Sequence, residues 1–482
     1  MTASRRRLRA IGLAIGLGIA GLPRVGWTAG PSGADGQPAL PAPGSPDPIV
    51  LPRLPADPFD PTLIWPGPPP VADPDLASSE DANPLDIQPR KNEPPAEAYR
   101  PSFTWGGYID LGFFAPQGNG AGYVQDFGHQ VLNTAPYTSY TWVFLGDILA
   151  PAVNSRGEVA DLGDAAGVDR FDSINSRGAP GFVANEINLR LRATPAPSAI
   201  ITASLNFTPR TGRDFALGDA FDVDLAQLEW LPTVSGRTSI FVGKMDSVLG
   251  IEYRDRKSDR RFGVTPSLMA RYTTGTALGL KVRTKLGADD WLVLAAAVTN
   301  GSNTTEQFHF YDETDSNAGK TGSARVAVRP PLPVRLELGA SGSYGAQDRT
   351  TSNRRAMWFF GPDLMVEVGG LAVKAQWLKG AAAGDPGQDA YQLTLHGGGY
   401  VEADLMLNET WGLLGRAEYR DAWVSLGPDR AYVTKSWRGT GGARVVFSTW
   451  ATLKAEYLHN GEYGPIPGVK NDIFTSSLVL IY

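Results

Sequence analysis

The sequence predicts an all-β fold, a transmembrane antiparallel β-barrel of about 14–16 strands over residues 102–482, with a disordered proline-rich segment before it. Three observations point there. From Phe103 onward apolar and polar residues alternate with a period of two, in runs of about 9–11 residues, the length that crosses a bilayer at a tilt. The face opposite the apolar one carries full charges of both signs. The chain ends on Phe474, Leu478, Leu480 and Tyr482, an alternating apolar set that stops on an aromatic residue, as the last strand of an assembled outer-membrane barrel does.

Residues 1–30 read as a secretory signal peptide. Arg5, Arg6, Arg7 and Arg9 precede the apolar run Ala10 to Leu22, which is shorter than the roughly 20 residues a spanning helix needs. Cleavage is expected near Ala29 or Gly30. No cysteine occurs, so an exported chain of this size has no disulfide framework, and a closed hydrogen-bonded barrel supplies another route to stability. The formal charge of −6 becomes −11 once the five arginines of residues 1–30 are removed, which argues against nucleic acid as a partner.

Residues 31–101 hold 20 of the 38 prolines and show no sustained hydrophobic period. They are predicted to form an extended or disordered periplasmic segment, either a plain spacer or a contact to the cell wall or a periplasmic partner.

The barrel strands follow in order. Phe103, Trp105, Ile109, Leu111 and Phe113 share one face against Thr104, Tyr108 and Asp110. Val183, Ile187, Leu189 and Leu191 oppose Glu186, Asn188, Arg190 and Arg192. Ile201, Leu205 and Phe207 oppose Thr202, Ser204 and Asn206, and Leu278, Leu280 and Val282 oppose Lys281, Arg283 and Lys285. Later strands set Leu336 and Leu338 against Arg335 and Glu337, and Val401 and Leu405 against Glu402 and Asp404. Near the end, Leu413 and Tyr419 oppose Arg416, Glu418 and Arg420, and Leu453 and Tyr457 oppose Lys454 and Glu456. Trp105, Trp291, Trp411, Trp450 and Tyr482 stand near run ends, where interfacial girdles form. The apolar set is expected to meet outer-membrane lipid, so that arginine at Leu189 or Leu280 is costly, whereas Ser204→Arg is expected to cost little.

Chemistry-bearing patterns are sparse. His129, His309, His396 and His459 have no metal-ligand spacing, and Asp219, Asp222 and Asp224 read as a solvated turn rather than a Ca²⁺ loop. No phosphate loop or nucleophile elbow is present, so neither a cofactor nor an enzyme activity is expected. The weaker alternative is an outer-membrane hydrolase built on His396.

The stretch from Phe241-Val242-Gly243-Lys244 through Gly250-Ile251-Glu252 to Arg271-Tyr272-Thr273-Thr274-Gly275 resembles the OmpL-like β-barrel porin family of the bacterial outer membrane, as does the opening Trp105-Gly106-Gly107-Tyr108-Ile109-Asp110. Val248-Leu249 stand where that family places a proline before its turn. The resemblance implies a passive channel of unassigned solute.

The sequence therefore leads us to expect passive diffusion of small polar solutes across the outer membrane, in a monomer or a homo-oligomer. The alternative is a structural or export barrel that uses residues 31–101 to hold a periplasmic partner. The expected pore-lining residues are Arg190, Arg192, Lys281, Arg283, Lys285, Arg335, Glu337, Arg416, Glu418 and Arg420. With Lys374, Arg444 and Lys454, the polar faces carry eleven cations against the seven acids Glu186, Glu337, Glu367, Glu402, Asp404, Glu418 and Glu456. The run Glu252 to Arg261 adds five cations and three acids, so weak anion selectivity follows, Lys281, Arg283 and Lys285 contributing most unless charges cancel across strands. Residues 115–181 are too long for a turn; they enter the lumen or form an outer loop.

Overall fold

The computed structural model describes residues 100–117, 179–207, 221–233, 236–246, 248–287, 290–300, 318–346, 356–382, 391–426, 430–463 and 471–482, with four short strands inside 118–178. It is a closed antiparallel β-barrel of 16 strands, the upper end of the range the sequence predicts.

The first wall strand is β1 (Ser102–Pro116). Four short strands follow: β2 (Tyr123–Asp126), β3 (Thr141–Leu145), β4 (Val159–Ala160) and β5 (Ser173–Ile174). The wall resumes with β6 (Gly181–Ala196), β7 (Ala199–Phe207), β8 (Phe221–Trp230), β9 (Thr238–Asp246) and β10 (Thr276–Leu286). It continues through β11 (Leu292–Asn300), β12 (Lys320–Val328), β13 (Arg335–Ala346), β14 (Ala356–Val368) and β15 (Leu371–Ala382). The last strands are β16 (Tyr391–Met406), β17 (Trp411–Leu426), β18 (Arg430–Ser448), β19 (Ala451–Glu462) and β20 (Ile473–Ile481). Each wall strand pairs with its sequence neighbour, and β1 bridges β6 on one side and β20 on the other. β2 pairs with β3, and β3 runs parallel to the start of β18. The rest of the long segment 115–181, read from sequence as a candidate constriction, lies largely outside the described residues.

Closure falls on the last residue. Tyr482 donates its backbone N–H to the Gly107 carbonyl at 3.1 Å and accepts from the Gly107 N–H at 3.0 Å, while its hydroxyl donates to the Asn188 carbonyl at 3.0 Å. Its ring meets Trp105 at 6.3 Å. The terminal aromatic thus joins the final strand to the first, and no sheet edge is left where β1 and β20 meet.

Alternation in sequence becomes inside and outside in space. Val242, Leu280 and Val298 are 50%, 48% and 56% exposed, while the adjacent inward residues Phe241, Lys281 and Ala297 are 2%, 1% and 7% exposed. The outside is apolar and open, and the inside is charged and closed, the inverse of a soluble sandwich. Trp105, Trp230, Trp291, Trp411, Trp450 and Tyr482 are exposed and stand at one end of the barrel, beside the connections 197–198, 231–237, 287–291, 407–410 and 449–450. Those turns are short, whereas most opposite connections are longer. This is the asymmetry of bacterial outer-membrane barrels. No helix among the described residues is long and apolar enough to cross a membrane.

The interior is packed rather than merely wet. Ser204 is buried and accepts a 2.8 Å hydrogen bond from the Asn188 amide, whose Nδ2 also reaches Asn206 at 2.5 Å. The expectation that Ser204→Arg costs little is therefore corrected: a guanidinium there displaces a bonded amide cluster. Leu280→Arg, in the middle of β10 on the open apolar face, is expected to lower unfolding stability in lipid by about 2–4 kcal/mol. Urea titration in liposomes checks this, and Leu280→Phe is expected to leave stability near the parent value.

Candidate functional site

Residues 247–275 connect β9 to β10, and those described among them turn back into the lumen instead of extending outward. Their apolar side chains make a small core inside the barrel: Val248, Leu249, Ile251, Tyr253, Val264, Leu268, Met269 and Tyr272 are all nearly fully buried. A 3-10 turn at Glu252–Asp255 and a single helical turn, α1 (Ala270–Thr273), give the segment its shape. Tyr272 packs on Phe359 of β14 at 5.4 Å.

The inward turn starts at Gly250. Its φ of +74° is one that side-chain-bearing residues avoid, and a Cβ there would lie 2.4 Å from Gln376 Oε1. Glycine lets the backbone approach β13 and β15 closely enough for Ser341 Oγ to accept the Gly250 N–H at 2.8 Å and Gln376 Oε1 the Ile251 N–H at 3.0 Å. Gly263 serves the same end at the other side of the segment, where a Cβ would fall 1.9 Å from Glu456 Oε1.

Between these points the segment is held by charge. Arg254 donates to Glu337 at 2.8 Å, and Asp255 accepts from Lys374 at 2.6 Å. Arg256 spans Asp224 and Asp246, each at 2.5 Å, and Lys257 reaches Glu186 at 3.0 Å and Asp224 at 2.8 Å. Asp259 receives both terminal nitrogens of Arg190, at 2.6 and 2.7 Å. Lys454 donates to the carbonyls of Ser258 at 2.5 Å, Arg261, and Gly263 at 3.2 Å. Glu456, two residues along β19, accepts from the N–H groups of Val264 and Thr265 at 2.6 and 3.0 Å. Arg416 bonds the Thr265 carbonyl at 3.0 Å, and Glu418 accepts the Leu268 N–H at 2.6 Å. Strands β6, β8, β9, β13, β15, β17 and β19 therefore all grip one segment, which spans the lumen and narrows it.

The residues expected to line the pore all point inward, and most are engaged. Arg190 clamps Asp259 as described. Arg416 also joins Glu418 at 2.8 Å and Glu402 at 3.0 Å, and Arg420 donates to the Tyr272 hydroxyl at 2.9 Å. Glu337 gathers Arg254, Arg325 at 2.6 Å and Arg329 at 2.8 Å, and Arg335 faces Glu367 at 3.3 Å. Lys281 is buried over the Phe241 ring at 4.6 Å and donates to the Asp246 carbonyl at 3.3 Å. Arg283 sits 3.5 Å from both Glu229 and Ser239 Oγ. Arg192 and Lys285 are half-buried nearer the short-turn end. Ser341, Gln376 and Tyr272 take part without any signal in the sequence, since their residue types are ordinary for a strand or a turn.

Two carboxyls of the inward segment differ in electrostatics. Burial pushes Glu252 up to about 7, only partly offset by the hydrogen bonds it accepts from the Ser267 hydroxyl and N–H. Burial would raise Asp259 as well, but Arg190 outweighs it and holds that carboxyl at about 2.

No known protein family matches the chain, and no curated protein matches it in sequence. Among solved structures, the outer-membrane channel DcaP of Acinetobacter baumannii is similar over 79% of this chain and 97% of its own, at 9% identity and a TM-score of 0.47. OmpF of Salmonella typhi is similar over 79% and 97%, at 8% identity and a TM-score of 0.46. In vitro folded OmpT, an outer membrane protein of Vibrio cholerae in its trimer form, matches over 79% and 99%, at 12% identity and a TM-score of 0.44. At these identities the likeness concerns the barrel fold alone.

Two outcomes follow from the geometry. Glu337→Gln takes a carboxylate from the buried guanidinium groups of Arg254 and Arg325 and from half-buried Arg329, with Arg325 keeping Asp363, and is expected to destabilise the barrel by about 3 kcal/mol, read by urea unfolding in liposomes. Because the Glu252 carboxyl is raised above its ordinary value, its share of the docking stability is complete below about pH 4.5 and is lost as pH rises through about 7. The protection factors of amides in residues 248–275, corrected for the intrinsic rise of exchange with pH, are expected to be lower at pH 8 than at pH 5, and Glu252→Gln to hold them high at both.

Proposed function

We propose that the chain is an outer-membrane channel of restricted bore that passes small polar solutes by passive diffusion, with a weak preference for anions. The observation that carries this reading is the charged segment folded into a charge-lined barrel and anchored on strands around the whole circumference. An apolar exterior with an aromatic girdle suits lipid, and a polar interior suits water and hydrated solutes. A segment held by ion pairs across the lumen limits passage by size, while the half-buried groups around it meet whatever solute remains small enough to enter.

The direction of the charge preference rests on the inward segment more than on the wall. Asp224, Asp246, Glu186 and Glu337 answer Arg256, Lys257 and Arg254, whereas Arg260 makes no ion pair among the described residues. Pore selectivity follows such unanswered charge, because a close ion pair presents only a dipole to a passing ion. A hydrolase reading draws less support: His396 is exposed on β16, at a bulge that follows Leu395.

Planar-bilayer recording of the refolded full chain tests the proposal. We expect discrete, small conductance steps, a rise of several-fold when residues 252–272 are replaced by a short Gly-Ser linker, and a reversal potential toward anions in a salt gradient. If that shortened barrel fails to refold, Glu456→Gln, which loosens one end of the segment, is expected to raise the frequency of large open events. An absence of steps from both the parent and the variants sinks the channel reading, and a cation preference sinks the anion one.

A further inference from the structure

The inward segment contains a place where positive charge outruns its partners. Asp259 is its only acid between Arg256 and Arg261, and both its oxygens are taken by Arg190. The same carboxylate acts on Arg260 beside it, on Lys454 of β19 and on Arg444 of β18. Arg444 and Lys454 face each other directly in the β18–β19 register, and Arg261 acts on Lys454 from the segment. Asp259 thus pairs directly with Arg190 alone, while Arg260 and Arg444 feel it, with Asp246 and Asp404 respectively, only at longer range.

The other acids nearby are bonded to other groups, although Asp404 and Asp246 also act at longer range on Arg444 and Arg260. Glu456 is spent on the Val264 and Thr265 N–H groups, Asp404 lies 3.3 Å from Lys374, Asp246 accepts from Arg256, and Asp110 accepts from Asn185 and Ser477. Among the cations, the Lys454 ammonium is consumed by three carbonyls of the segment. Arg444 lies over the Phe262 ring at 5.5 Å with its buried Nε unbonded, and Arg260 makes neither a side-chain hydrogen bond nor an ion pair among the described residues. Arg190, Arg260 and Arg444 each keep part of their surface open.

We propose that Arg260 and Arg444, with Arg190 alongside, form a binding site for an oxyanion, a carboxylate or a phosphate, within the lumen beside the inward segment. Guanidinium groups present paired donors that match a planar or tetrahedral oxyanion, and a partly desolvated site strengthens each contact. Burial, together with Arg190 and Arg256, pushes the Arg260 guanidinium below its ordinary value despite Asp259 and Asp246. A bound oxyanion supplies further negative charge. Chloride, a sphere without a matching geometry, is held less well.

The site rests on the channel reading for its role, though not for its detection. Calorimetric titration of the detergent-solubilised full chain with inorganic phosphate and, separately, with acetate, each against a chloride background, measures it directly. Saturable 1:1 binding of at least one of them is expected, weakened at least about tenfold by Arg260→Gln and by Arg444→Gln, since each removes a charge-assisted contact. Arg237→Gln, in the short turn before β9, is expected to bind as the parent does. Arg260→Lys guards against misfolding, because it keeps the charge and loses the fork, and is expected to weaken the oxyanion while leaving chloride conductance in place. Binding that is absent, or weakened equally by Arg237→Gln, overturns the site. If channels still conduct when binding is absent, the channel reading stands without the site; if binding is present and no conductance is seen, the site stands and the channel reading falls.

Discussion

Everything in this structure depends on one constraint: a backbone amide surrounded by lipid must find its partner within the protein. A sheet meets that constraint only by closing on itself, which is why β1 pairs with β20 as well as β6, and why the final residue is bonded into the first strand. Closure then fixes the chemistry of the two faces. Each strand must send alternate side chains to lipid, so its remaining side chains, including nearly every full charge of the wall, are committed to the lumen.

A lumen lined by that much charge is not stable if left unanswered, because each partly desolvated ion costs several kcal/mol until it is paired. The segment between β9 and β10 answers it. Arg254, Arg256 and Lys257 meet the acids of β6, β8, β9 and β13, and Asp255 and Asp259 meet Lys374 and Arg190. Its backbone, turned inside out by Gly250, spends its own N–H and C=O groups on Ser341, Gln376, Lys454 and Glu456. Narrowing the bore and satisfying the wall are the same set of contacts, so loosening one loosens the other.

The wall was legible in the sequence because its signal is local. Leu278, Leu280 and Val282 alternate with Lys281 and Arg283, and that pattern needs no knowledge of distant residues. The terminal Tyr482 was legible for a similar reason. The site was legible only in part. The charge of Glu252–Arg261 was visible, but nothing nearby in sequence says that Arg256 meets Asp224 or that Glu456, nearly two hundred residues later, binds the amides of Val264 and Thr265. Length pointed instead at residues 115–181. What distinguishes the inward segment is Gly250 and Gly263, whose missing side chains permit backbone to approach wall, and a glycine gives no hint of what approaches it.

The same contrast decides how charge counts should be read. Eleven wall cations against seven acids suggests a field favouring anions, with Lys281, Arg283 and Lys285 in the lead. In the folded barrel Lys281 is covered by Phe241 and bonded to a backbone carbonyl, and Arg283 lies against Glu229, so their fields are largely absorbed before they reach a solute. Arg260 and Arg444 carry the same formal charge but make no ion pair among the described residues, and Asp259, which acts on both, is already clamped by Arg190. A cation whose partner is taken elsewhere projects its field into the water beside it, and a cation with its own partner does not. Net charge along a strand is thus a weak guide to what a pore prefers; the guide is which charges the fold leaves without an answer.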